Sequence, residues 1–255
     1  MKPFDARGNL SRGTRMNKIK VQHKRKLLSL IKLAILYEIA LLLVTLDKVP
    51  ESEVALHSYK FKCRRKTTDY VHLTKYYEAE TTEFLLNKKG DFFVDVGAHI
   101  GRYSVLLSKN FKKVVAFEPV KSTFNQLNTN VSMNCLNNVK LVNAAAYEKA
   151  GNKIIHCELN LGSSSFYTKS RKTERIKTIA LDNIVRKADL IKIDVEGAEL
   201  HALKGAKQLL TNNNPILVIE SFNVNPIKNY LKKFGYSITD RLDHTNFVFE
   251  KNCPW

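Results

Sequence analysis

The chain is expected to fold as an α/β domain, a mostly parallel sheet between two helical layers. Three observations predict this. From Gly90 onward, short apolar runs alternate with segments of helical spacing. The first run ends in a glycine-bracketed turn, DVGAHIGRYS at 95–104. The last two runs, YSITDRL and NFVFEK, have no helix between them and read as an antiparallel closing hairpin.

The elements follow in order. Residues 59–73 read as two short strands, YKFKCRR and DYVHL, with Thr67 and Thr68 in a turn. Residues 75–88 carry helical spacing and stop before Gly90. DFFVDV is a buried strand, Ile100–Asn110 a helix, KKVVAFE a strand, Val120–Cys135 a helix and VKLVNAAA a strand. Residues 151–181 look like hairpins: KIIHCEL, a GSSS turn and RIKTIAL. DLIKIDV is a strand, Ala198–Leu210 a helix, PILVIES a strand and Ile227–Phe234 a helix.

The 255 residues suffice for one large α/β domain plus an extension, and a 44% hydrophobic content excludes wholesale disorder. The four cysteines form no C-x-x-C pair, so neither a zinc site nor a disulfide framework is expected. The net charge is +18 and is uneven: residues 1–26 hold nine Lys/Arg against one acid, Asp5. They read as a flexible basic arm, with Met16 as a second candidate start. Such an excess suits an anionic surface, whether nucleic acid, lipid or glycan.

Residues 27–48 read as an apolar or amphipathic helix. Lys32 and Glu38 interrupt its apolar run. Three readings compete: packing on the catalytic domain, lying on a membrane surface behind the basic arm, or spanning the membrane. Spanning would leave the basic flank in the cytoplasm and the domain outside. The expected location is cytoplasmic, with membrane association through residues 1–46 as its variant. Residues 50–90 then form a cover of strands and a helix, and 91–255 the main domain.

The chemistry concentrates at strand ends. Gly97 lets the chain turn sharply where the first core strand stops, and Gly101 lets the next helix pack closely. Asp95 puts a carboxylate where a ligand's ammonium would be held. The pattern is G-x-x-x-G and lacks the third glycine of pyrophosphate binders, which argues against a nicotinamide dinucleotide. Glu118 follows twenty-three positions after Asp95 at the next strand end, where an acid accepts bonds from both hydroxyls of a ribose. Pro119 turns the chain after it. Asp194, Glu196 and Glu199 gather at the end of KIDVEGAEL. Carboxylates there suit a general base, and Glu199 also suits a helix-dipole acid. Asp194 is the first choice of catalytic base and Glu196 the second. No metal ligand set is expected.

These segments, DVGAHIGRYSVLLS, VVAFEPVKSTFNQLNTN, NAAAYEKAG, GSSSF and IKIDVEGAELHALKGA, in this order, resemble the FkbM family of methyltransferases over roughly Lys60 to Phe222. The resemblance implies a Rossmann-like seven-stranded sheet with an antiparallel last strand. It also implies S-adenosylmethionine as cofactor, and methyl transfer to a hydroxyl of a sugar, glycan or small metabolite. By it, Asp95, Gly97 and Gly101 shape the methionine end of the pocket and Glu118 takes the ribose. Asn143 to Ala145 lie near adenine, and Asp194 faces the methyl group. Ala98, His99 and Pro119 complete the cofactor-binding set. His99 stands where the family more usually has Asn; both hydrogen-bond, so a local loop contact is the favoured reading, with a group titrating near neutral pH as the other. Rival readings are a protein or nucleic-acid methyltransferase, or a non-catalytic module holding nucleic acid or membrane. Nucleic acid is not favoured, since no N/D-P-P-Y motif follows the fourth core strand.

Overall fold

The computed structural model describes residues 50–157, 164–165 and 173–251, with positions 28, 31, 32, 34–36, 38–40, 42, 43 and 48 ahead of them. The expected basic arm and most of the GSSS turn lie outside the described residues.

In chain order the strands are β1 (Ser52–Leu56), β2 (Tyr59–Cys63), β3 (Gly90–Val96), β4 (Phe111–Phe117), β5 (Val139–Val142), β6 (Ala145–Ala146), β7 (Gly151–Cys157), β8 (Ser164–Ser165), β9 (Thr173–Ile179), β10 (Leu190–Ile193), β11 (Ile216–Glu220), β12 (Tyr236–Leu242) and β13 (Asn246–Lys251). Seven make one sheet in the order β12-β13-β11-β10-β3-β4-β5. Its pairings are parallel except those of β13, which runs antiparallel between β11 and β12. The α/β expectation and the closing antiparallel strand are both met.

The central strands are apolar on both faces because helices cover both sides. Val94, Val96, Ile191, Ile193, Leu217 and Ile219 pack toward one helical layer. Phe93, Leu190 and Val218 belong to a separate cluster, with Leu85 and Leu107. Lys192 breaks this pattern: it is 1% exposed in the middle of β10.

Several expected elements differ. DYVHL is a short helix, Asp69–His72, not a strand. Alternation over five residues fits either form. Here the Asp69 N–H bonds to Thr67 Oγ1, and the Asp69 carboxylate is tied to Arg64, which starts a helical turn. SEVAL, not anticipated as a strand, pairs with β2. VKLVNAAA divides: after Val142 the chain leaves the main sheet, and Ala145–Ala146 pair with β9 in a four-stranded sheet of order β6-β9-β7-β8. The helix expected at Ala198–Leu210 is two, Glu199–Lys204 and Lys207–Asn212. At Gly205, beside the break, a Cβ would stand 2.0 Å from the Tyr147 carbonyl oxygen. The helix expected at Ile100–Asn110 is shorter, Arg102–Leu106.

The described residues between 28 and 43 are helical. Ala40 is buried, and Lys32 Nζ lies over the Tyr76 ring at 5.4 Å. Leu28, Ile31, Ile35, Ile39 and Leu42 form an exposed stripe at helical spacing, each 48–58% exposed. No helix among the described residues is long and apolar enough to cross a membrane.

Candidate active site

Strand order places the site. From β3 the chain runs outward through β4 to β5; later strands run the other way through β10 and β11. The crevice at this reversal, beyond the carboxyl ends of the strands, is where open α/β sheets take ligands. A cavity of ≈ 200 Å³ opens there.

Gly97 has a role its sequence context did not reveal. Its φ is +85°, and a Cβ would lie 1.7 Å from the Asp194 carbonyl oxygen. The missing side chain lets the turns after β3 and β10 touch, which brings Asp95 and Asp194 to one cavity. Gly101 (φ +95°) precedes the helix Arg102–Leu106, and a Cβ there would meet Leu127 at 2.6 Å. Its packing partner is the next helix, Lys121–Met133, rather than a strand.

Glu118 follows β4, is buried, and faces the cavity. Its Oε2 accepts the His99 N–H (3.0 Å) and its Oε1 the Val120 N–H (2.9 Å). Each oxygen thus keeps acceptor capacity for a ligand. Burial raises its pKa to about 8, against the pull of these two bonds and of Arg64. Asp95 accepts from Ser104 Oγ at 2.6 Å. Burial raises its pKa to about 6, opposed by the Ser104 bond and the Lys192 charge.

The segment before the core covers one side. Arg64 holds Asp69 through Nε (2.9 Å) and Nη2 (2.8 Å), and donates through Nη2 to His99 Nε2 (3.2 Å). That donation assigns the His99 proton to Nδ1. The His99 ring lies 5.0 Å from that of His72. Burial, then His72, lowers the His99 pKa to about 3. His99 is therefore neutral, and of the two readings of this position its contacts fit the local loop contact. Its φ is +52°, a left-handed conformation that Asn, Asp and His enter most readily among residues with a side chain.

On the far side, Lys192 Nζ donates to Asp194 Oδ2 at 2.8 Å and lies 3.8 Å from Glu78 Oε2. Glu78 also accepts from the Tyr103 hydroxyl and from Asn246 Nδ2 (3.1 Å). Glu220 hydrogen-bonds Asp194 and accepts from Thr245 Oγ1 at 3.1 Å. Carboxylate oxygens of Glu78, Asp194 and Glu220 lie within 4.8 Å of one another. This is the spacing of a cation site, and the Lys192 ammonium is the cation in it. Burial opposes ionisation of Asp194, but Lys192 and the bond from Glu220 hold its pKa below the ordinary value. The Asp194 charge, then burial, raises Glu220 to about 10, so Glu220 is protonated and donates.

The cavity gathers Asp95, Gly97, Ala98, His99, Glu118, Pro119, Ala145, Asp194 and Glu196 from the sequence-derived set. Gly101 and Asn143 stand behind its wall. Asn143 Nδ2 donates to the carbonyls of Glu118 (2.9 Å) and Pro119 (3.0 Å) and so braces that turn. Glu196 is exposed, with φ +51°. Glu199 accepts the Gly197 N–H at 2.6 Å in the first turn of its helix, the helix-terminus role. Tyr77 lines the cavity; Tyr76 does not. His201 stacks on Tyr147, and His244 borders neither large cavity. Sequence reasoning missed Glu78, His72, Arg102, Tyr103 and Glu220. Only Glu220 carried a signal, an acid ending an apolar strand as Glu118 does.

Residues 95–238 match the Methyltransferase FkbM domain. Methyltransferase sdnD of Sordaria araneosa is 27% identical, over 58% of this chain and 74% of that protein. Hexuronic acid methyltransferase AglP of Haloferax volcanii is 28% identical, over 58% of this chain and 64% of its own length, so the match spans just under two thirds of AglP. The solved Methyltransferase FkbM of Methylobacillus flagellatus KT is 22% identical over 63% of this chain and 43% of that one, with a TM-score of 0.48. The domain match covers more than half of the chain and includes both walls of the crevice, from Asp95 to Glu220, and the protein is therefore a methyltransferase of the FkbM family.

Proposed function

We propose that the protein methylates a hydroxyl oxygen of a sugar, glycan or small metabolite, using S-adenosylmethionine. The observation that carries this reading is Glu118, a buried carboxylate with one backbone donor on each oxygen, turned to a cavity that also holds Asp95 and Asp194. This donor set fits a cationic nucleoside and not a pyrophosphate. Glu118 takes the ribose hydroxyls, with Asn143 fixing the turn that carries it. Asp95 and the Gly97 turn face the amino-acid end, and Ala98, Pro119 and Ala145 supply apolar wall. S-adenosylmethionine supplies an electrophilic methyl group on its sulfonium.

Asp194 accepts the acceptor's hydroxyl proton as its oxygen attacks. Lys192 keeps that carboxylate ionised, and Glu220 hydrogen-bonds it in the orientation required. Glu196, at the rim, is the second candidate for the base. General-base help of this kind contributes about 10²–10⁴ in rate; holding two ligands in line contributes more. Calorimetry with S-adenosylmethionine tests the pocket, with Glu118→Ala expected to abolish the heat of binding. Binding of NAD in its place would overturn the reading. Labelled S-adenosylmethionine incubated with fractionated host extract separates glycan and metabolite acceptors from protein and nucleic acid.

We also propose that residues 1–46 rest on an anionic membrane surface. The exposed stripe from Leu28 to Leu42 follows directly on the basic run of 1–26. An apolar helix face beside clustered Lys/Arg is the pattern of interfacial binding. Full-length protein is expected to sediment with phosphatidylserine vesicles, and to be released by salt or by Ile31→Glu/Ile35→Glu. Equal sedimentation with neutral vesicles would refute the electrostatic part.

A further inference from the structure

A second cavity, ≈ 330 Å³, opens beside the first. The two share Asp194, Glu196, Glu220 and Phe222, so a molecule in the second meets the same carboxylates as one in the first. Its remaining wall includes Glu199, His201, Asn223 and Ile227. Neither function nor ligand has been assigned to it above.

Its chemistry runs against that of the chain. The protein carries 42 Lys/Arg and a charge of +18. Among the described residues no Lys or Arg lines this cavity, while four carboxyl side chains do. Lys192, the nearest buried cation in the catalytic network, lines the first cavity only and is matched by Asp194. A carboxylate or phosphate entering here would lose water and meet the Asp194 and Glu196 carboxylates, Glu220 being protonated, which penalises binding. A hydroxyl donates to carboxylates and gains. Phe222 is 88% exposed at the boundary between the cavities and lines both. An open aromatic face beside hydrogen-bonding carboxylates suits the apolar face of a sugar ring.

We infer that this second cavity is the acceptor chamber, and that it takes a hydroxylated ring without anionic groups, such as a neutral hexose or an amino sugar, and rejects uronates and sugar phosphates. The inference rests on Asp194 being the methyl-transfer site. It also separates this chain from AglP, whose name specifies hexuronic acid.

The test uses full-length enzyme, labelled S-adenosylmethionine and three matched acceptors: methyl hexosides, their 2-amino counterparts and their 6-carboxylates. Calorimetry with S-adenosylmethionine alone runs in parallel. The neutral and amino sugars are expected to be methylated, with kcat/KM at least about 30-fold above the uronates, since placing like charges together costs several kcal/mol. Glu196→Gln should narrow that ratio, and Phe222→Ala should raise KM with little change in kcat. Uronates used as well as hexosides would overturn the inference, as would a ratio unmoved by Glu196→Gln. No methylation of any sugar with cofactor binding intact would overturn it too. Absent cofactor binding would instead strike the underlying methyltransferase site.

Discussion

Two strand-end acids face one crevice and behave in opposite ways. Glu118, after β4, is held by two backbone N–H groups with no ion pair among the described residues, and its pKa rises to about 8. Asp194, after β10, keeps 23% of its side chain exposed, and Lys192 at 2.8 Å holds its pKa below the ordinary value. Burial alone pushes a carboxyl upward, and a close opposite charge reverses the sign. Both are carboxylic acids one position past a strand end; the partner decides. The contrast separates the two sides of the crevice: a carboxyl whose charge depends on pH on one, and on the other a carboxylate that the neighbouring ammonium favours in its ionised form, as the proposed base requires.

The contrast breaks most directly at Asp194. Asp194→Asn keeps shape and removes the proton acceptor. The expected outcome is a fall in kcat of about 10²–10⁴, with the S-adenosylmethionine Kd nearly unchanged by calorimetry. Full turnover in this variant would move the base to Glu196.

Lys192→Met removes the shared cation. Breaking a buried pair from one side costs about 3–5 kcal/mol, to be read from denaturant unfolding. The pH–rate profile should move as well. A base works only when ionised, and without Lys192 the Asp194 pKa rises, so the acid limb shifts to higher pH. An unmoved limb would show that Lys192 is merely structural.

On the other side of the crevice, pH itself is the probe. If the ribose hydroxyls need an ionised Glu118, the competent fraction grows about tenfold between pH 7 and 9 for a pKa of about 8. Affinity for S-adenosylmethionine should rise by that factor, with about one proton released per complex at pH 7. Glu118→Gln should bind weakly and flatten the dependence.

Much of this division was legible in the residues. Strand-end positions for Asp95, Glu118 and Asp194 followed from apolar runs that stop at an acid, and the observed main sheet agrees with the alternation behind it. The partners were not legible. Glu78 comes from a segment with no core pattern, and it meets Lys192 only because the cover folds over the end of the sheet. Gly97 illustrates the limit well. The sequence marked it as a sharp turn at a strand end, whereas what also excludes its Cβ is the Asp194 carbonyl, nearly a hundred positions on. Long-range contact of this kind leaves no local trace. DYVHL failed for another reason: five residues fit either period, and the Arg64–Asp69 pair decided between them.

The smallest expected effect sharpens the comparison at its hinge. His99 joins the two sides of the crevice: its N–H holds Glu118, and its ring contacts Arg64 and His72. Two explanations of this position compete, a backbone need for φ near +52° and a side-chain need for imidazole. His99→Asn separates them, because Asn also enters the left-handed region readily. If the backbone need dominates, His99→Asn should change S-adenosylmethionine affinity by less than about threefold, while His99→Val, whose β-branched side chain opposes that conformation, should cost about 1–3 kcal/mol of stability. The Glu118 bond would survive in the first variant and be lost in the second. Equal damage in both would mean that the neutral ring against Arg64, rather than the turn, orders this part of the pocket.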